Sequence, residues 1–137
     1  RILESHQLSE PIDELQAVMN AEALSRCQED CSKIHVSIEM RNYIVQIANA
    51  TRQFDGLRLG LSPRGSLALM KTAQAWAYLA GNNYVSPDDV KAVAHSVLGH
   101  RLIPDAKLEY SGGSMADVIT KLVNSVPVPT KSQELSS

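Results

Sequence analysis

SPRGSLALMKTAQAWAYLAG, residues 62 to 81, reads as a helix with its own start and stop signals. Ser62 is a strong N-cap, and Pro63 suits the first helical position, where its missing N–H costs nothing. Leu67, Met70, Ala73, Ala77 and Ala80 recur at helical spacing. Leu69, Trp76 and Tyr78 widen the apolar face, while Lys71 and Gln74 are expected to point outward. The small side chains of Ala68, Ala73, Ala75, Ala77 and Ala80 favour the helix and let a neighbour approach closely. Gly81 supplies the stop. This stretch decides for a helix packed tightly among other helices.

The same grammar extends in both directions. Downstream, Ser86-Pro87-Asp88-Asp89 repeats the start, now with a carboxylate placed for a capping box. Val90, Val93, Ala94, Val97 and Leu98 form that helix's face, Gly99 ends it, and residues 100–104 read as extended. A last helix is expected from Ser114 to about Asn124, stopped by Val126-Pro127-Val128-Pro129. Upstream, Ser37 caps a helix with the stripe Ile38, Met40, Ile44, Ile47, Ala48 and Thr51, broadened by Tyr43 and Val45. Asn20 caps an earlier helix with Ala23, Leu24, Cys27 and Cys31 inward. The expected fold is all-α: a compact bundle of four to five helices with short extended segments in the connecting loops. Residues 1–10 read as the tail of a helix from a preceding domain or linker, 11–127 as the bundle, and 128–137 as a disordered polar tail.

Composition narrows the function. The 137 residues are enough for one domain with a real core. Thirteen Lys+Arg against fifteen Asp+Glu give a net charge of −2, which argues against a dedicated nucleic-acid binder. A helix-turn-helix reading of the Gly81-Asn82-Asn83 turn also fails, because Asp88 and Asp89 would meet phosphates first. No apolar run is long enough for a membrane span. Cys27, Cys31 and His35 stand one helical turn apart, but they spread over two turns, too far for one ion. A zinc site would need a fourth ligand from elsewhere, and they read as structural thiols and a structural or surface histidine, with no metal site expected. His6, His35, His95 and His100 have no Ser or Cys partner at a telling spacing, so no hydrolytic constellation is present.

One residue breaks a local rule. Arg64 sits in the first turn of its helix, where a cation is disfavoured by roughly 0.3–1 kcal/mol. It either pairs with a nearby acid or serves an anion site, with free N–H groups after Ser62-Pro63 and a guanidinium converging on a phosphate. Arg58 and Arg52, just upstream, are secondary members of such a patch.

The run Leu57-Arg58-Leu59-Gly60-Leu61-Ser62-Pro63-Arg64-Gly65 resembles the lid segment of MoxR-type AAA+ ATPases, which reads approximately R-x-G-x-S-P-R-[AG]. The resemblance continues through Tyr43-Ile44-Val45, Ala50-Thr51-Arg52, Tyr84-Val85-Ser86-Pro87-Asp88-Asp89-Val90-Lys91, Val97-Leu98-Gly99-His100-Arg101-Leu102 and Val126-Pro127-Val128-Pro129. It covers roughly residues 8 to 129. Two departures stand out: Leu61 replaces a commonly smaller residue, and Gly65 stands where alanine is frequent.

The resemblance implies that Arg64 is the sensor 2 arginine, touching the γ-phosphate of ATP. Ser62, Pro63, Arg58 and Arg52 would then serve nucleotide binding or subunit contact. It also implies a chaperone-like cytoplasmic machine, a ring that is commonly a hexamer, and von Willebrand factor A-type partner proteins. The chain has no G-x-x-x-x-G-K-[ST] and no strand ending in paired acids. ATP and Mg2+ are therefore expected in a full-length parent whose nucleotide-binding domain precedes Arg1, an expectation with which the lack of an initiator Met agrees. The fragment alone is expected to bind neither, to catalyse nothing and to be monomeric, with no nucleic-acid or membrane partner. The rival reading is a stand-alone helical interaction module, with the Trp76/Tyr78 region as its docking face.

Overall fold

Each helix in the computed structural model, which describes residues 14–130, begins on a side chain that satisfies a first-turn N–H. The expected leading helix tail lies outside the described residues, as do residues 131–137 of the polar tail. Asn20 caps α1 (Ala21–Ser32), Ser37 caps α2 (Ile38–Gln53), Ser62 caps α3 (Pro63–Leu79) and Ser86 caps α4 (Pro87–Leu98). Asp105 caps α5 (Ala106–Tyr110) and Ser114 caps α6 (Met115–Ser125). At α4 the box closes both ways: the Ser86 hydroxyl accepts from Asp89 N, and the Asp89 carboxylate accepts from Ser86 N at 2.8 Å. Gly81 adopts a φ of +83° just past α3, a left-handed turn that suits glycine.

Among the described residues the fold is therefore six helices, with one small two-stranded sheet. The sheet and α5 are additions to the expected bundle. β1 (Leu57–Leu59) pairs antiparallel with β2 (Ile103–Pro104), setting Leu57 opposite Pro104 and Leu59 opposite Ile103. A parallel bridge between His35 and Tyr84 ties the α1–α2 link to the α3–α4 link.

α3 is the central helix. It packs on α4, α2 and α1, while α6 closes the far side against α4 and α2. Leu69, Ala73 and Ala77, four residues apart, are fully buried along its inner line. Met40, Tyr43, Ile47, Val90, Leu98, Ile119 and Leu122 fill the space around it. The two alanines let α4 and α2 approach, as their small size suggests.

Several positions depart from the expected stripe. Leu67 and Trp76 are about half exposed, as are Ile38 and Val45. Gln74, expected outward, is buried: its Nε2 donates to Ile34 O at 2.9 Å and to Ser32 O at 3.4 Å. The buried face of α3 is centred on the 69–73–77 line, so Gln74 falls inside and Leu67 outside. α1 buries none of its residues, and its Leu24 is half exposed. It leans on α3 through Gln74 and a Tyr78–Asp30 hydrogen bond.

Candidate functional site

The start of α3 is held by two residues at the end of α2. The Thr51 hydroxyl donates to Ala48 O at 2.6 Å and accepts from Leu61 N at 2.8 Å. The Arg52 guanidinium donates through Nε and Nη2 to Leu61 O, at 3.2 and 2.9 Å, and through Nη1 to Asn49 Oδ1 at 2.9 Å. Both backbone polar groups of Leu61, the residue before the cap, are thus fixed by neighbours in sequence order 51 and 52. Gly60 makes this possible: a Cβ there would lie within 2.9 Å of Arg52 Cα and N. Arg52, expected in the anion patch, directs three of its five N–H donors to acceptors inside the chain.

Leu61 and Gly65 form a matched pair. Leu61 is 1% exposed, and its Cδ1 occupies the place a Cβ on Gly65 would need. The two departures from the lid pattern therefore meet in one space, where the larger side chain at 61 fills the place that a methyl at 65 would take.

At the helix start itself, the Ser62 hydroxyl accepts from Gly65 N at 3.1 Å, and Ser66 N donates to Ser62 O at 2.9 Å. Pro63 has no N–H. The Arg64 N–H is the one first-turn donor not engaged by a described residue, fewer free donors than the sequence suggests. The Arg64 side chain is exposed, and no hydrogen bond or ion pair joins it to a described residue. No acid stands in this first turn, in contrast to Asp88 and Asp89 in the first turn of α4. A pairing acid for Arg64, the plain structural explanation, is thus absent among the described residues. Arg58 is exposed on β1 and likewise has no described partner.

The structure adds Arg101. Its Cδ passes 3.4 Å from the position of a Gly65 Cβ, so its stem runs beside the first turn of α3. Its Nη1 donates to Val97 O at 3.2 Å and lies 2.9 Å from His100 Nε2, which accepts when that nitrogen carries no proton. In the sequence Arg101 stands only in the lid-like run Val97–Leu102, with nothing that ties it to Gly65. Cys27 and Cys31 are half-buried free thiols on α1. Burial, helped by the charges of Cys27 and Asp30, pushes the Cys31 thiol above its ordinary range.

This arrangement is one cation on a rigidly capped helix start, with its neighbours fixed and its own side chain free. It can grip or sense an anion brought to it from outside the chain.

The AAA lid domain family model matches residues 49–122, which runs from the Thr51–Arg52 clamp to α6. The chain belongs to that family. Within it the similarity is to MoxR proteins, and the chain is a lid domain of the MoxR type. It is 30% identical over 121 residues to the chaperone MoxR1 of Mycobacterium tuberculosis, covering 82% of this chain and 32% of that protein. It is 31% identical over 112 residues to the protein MoxR of Paracoccus denitrificans, covering 72% and 33%. The protein YeaC of Bacillus subtilis is 34% identical over 130 residues, covering 95% of this chain and 41% of YeaC. A crystal structure from Cytophaga hutchinsonii, described as that of a candidate ATPase, superposes with a TM-score of 0.70 at 26% identity. It covers 74% of this chain and 34% of its own. The chain spans less than half the length of these relatives. No helix among the described residues is long and apolar enough to cross a membrane.

Proposed function

We propose that this lid serves an AAA+ ATPase of the MoxR type by presenting Arg64, as sensor 2, to the γ-phosphate of ATP. A nucleotide-binding domain, in the same chain or a neighbouring subunit, would hold that ATP with Mg2+. The observation that carries this reading is the isolation of Arg64. Its cap, its preceding residue and its helix are all fixed, while its guanidinium is left without a partner among the described residues. Such a donor is pre-organised for charge that redistributes on the phosphoryl oxygens as the bond to the leaving group breaks. Loss of the γ-phosphate removes the bridge and frees the lid to rotate. Arg58 then faces a neighbouring domain or subunit, and Arg52 keeps Leu61 in place. A ring assembly, chaperone-like work in the cytoplasm and von Willebrand factor A-type partners belong to the same reading. The exposed Trp76 and Leu79 at the end of α3 suit a contact inside such an assembly.

The test is Arg64→Ala in the full-length parent. Steady-state hydrolysis is expected to fall by more than about tenfold, towards the 10³ that a phosphate-facing arginine can contribute. The melting temperature of the lid should not drop. A rate within about twofold of the parent's would overturn the role.

A further inference from the structure

Arg101 reaches the start of α3 from a distant part of the chain. The antiparallel ribbon brings it there. Leu59 stands opposite Ile103, so one strand leads on to Leu61 and the cap while the other leads back to Arg101. The Arg101 stem then passes 3.4 Å from where a Cβ would stand on Gly65, the residue after Arg64. The plain role for Arg101 is to cap α4. Its Nη1 donates to Val97 O in the last turn, where a cation also suits the helix dipole. The same Nη1 meets His100 Nε2 at 2.9 Å. That role occupies one nitrogen of three. Nε and Nη2 have no acceptor among the described residues, and the side chain is exposed.

We propose that Arg101 is a second phosphate-binding residue, gripping through Nε and Nη2 the same γ-phosphate that Arg64 touches; this rests on Arg64 being that contact. Nε and Nη2 form the side of a guanidinium that presents two parallel N–H groups, the side on which a phosphate is held bidentately. The stem lies beside Gly65 and Nη1 is fixed at Val97 O, so the free side is set before any anion arrives. Little further order is lost on binding. No carboxylate pairs with Arg64 or Arg101 among the described residues. Two cations brought to one helix turn repel each other, and an anion between them turns that repulsion into attraction. A terminal phosphoryl group has three oxygens to share, enough for both arginines.

The test is nucleotide affinity in the full-length parent, read with ADP and with the non-hydrolysable analogue AMP-PNP, which alone of the two carries a γ-phosphate. Arg101→Gln should weaken AMP-PNP about fivefold or more and leave ADP within about twofold. In an Arg64→Ala background the same change should weaken AMP-PNP by roughly a further threefold. A residue that merely held Arg64 in place would add nothing there. Arg101→Lys keeps the stem and the charge but lacks the paired donors, and should lose about threefold on AMP-PNP. It decides should Arg101→Gln fail to fold. AMP-PNP affinity within about twofold of the parent's, equal losses for ADP and AMP-PNP, or no further loss in the Arg64→Ala background would overturn the proposal. If Arg64→Ala by itself leaves AMP-PNP affinity intact, the role of Arg64 falls and that of Arg101 with it. If Arg64→Ala is selective for AMP-PNP and Arg101→Gln is not, only Arg101 is excluded.

Discussion

At the scale of single residues, Gly65 gives the sharpest test of packing. Alanine there gains helix propensity, yet its methyl needs the space of the buried Leu61. Gly65→Ala alone should destabilise the domain by about 1–2 kcal/mol. In a Leu61→Ala background the same change should be neutral or stabilising, and a double-mutant cycle by chemical denaturation measures the coupling. Zero coupling would mean that the two positions are independent. Thr51→Val should cost about 1–3 kcal/mol, because Leu61 N is left buried without an acceptor. Tyr43 adds a pH dependence. Burial first, then Asp88, raises its phenol above the ordinary range. The folded state therefore holds this proton where the unfolded chain has begun to lose it. Its contribution is fully present below about pH 10 and declines as pH rises through the folded pKa. Alkaline denaturation of Tyr43→Phe should show a shallower decline than the parent, and identical curves would contradict the assignment.

At the scale of elements, helix starts were readable because their signals are local. Asn20, Ser37, Ser62, Ser86 and Ser114 each cap the helix their position predicts. What was hidden depends on contacts distant in sequence. Gln74 reads as an outward-facing polar residue, and nothing nearby reveals that Ile34 O, forty positions away, accepts from its amide. The Thr51–Leu61 bond and the approach of Arg101 to Gly65 are of the same kind. β1 and β2 are too short for a period of two to register, and α5 is a single capped turn and a half. α1 buries no residue, a property it shares with the short α5, so it is the least anchored of the longer helices. Its amides should exchange with solvent before those of α3 and α4, and Gln74→Leu should speed exchange in α1 selectively. Uniform protection across the helices would contradict this account.

At the scale of the whole molecule, the lid carries an exposed arginine, Arg64, on a capped helix start, with no partner among the described residues. α2 clamps the loop before the cap and, with α4, packs against α3, and the helix start faces outward with its charge unspent. The family resemblance was legible in the run from Leu57 to Gly65, but the sequence alone left open whether Arg64 pairs with an acid of its own chain. The structure removes that explanation among the described residues and leaves the anion unnamed. The most direct test is a structure of the full-length parent with a non-hydrolysable ATP analogue. The account predicts a guanidinium nitrogen of Arg64 within about 3 Å of a γ-phosphate oxygen, of its own or the adjacent subunit's nucleotide. An Arg64 more than about 6 Å from every bound phosphate, with hydrolysis proceeding normally, would contradict it.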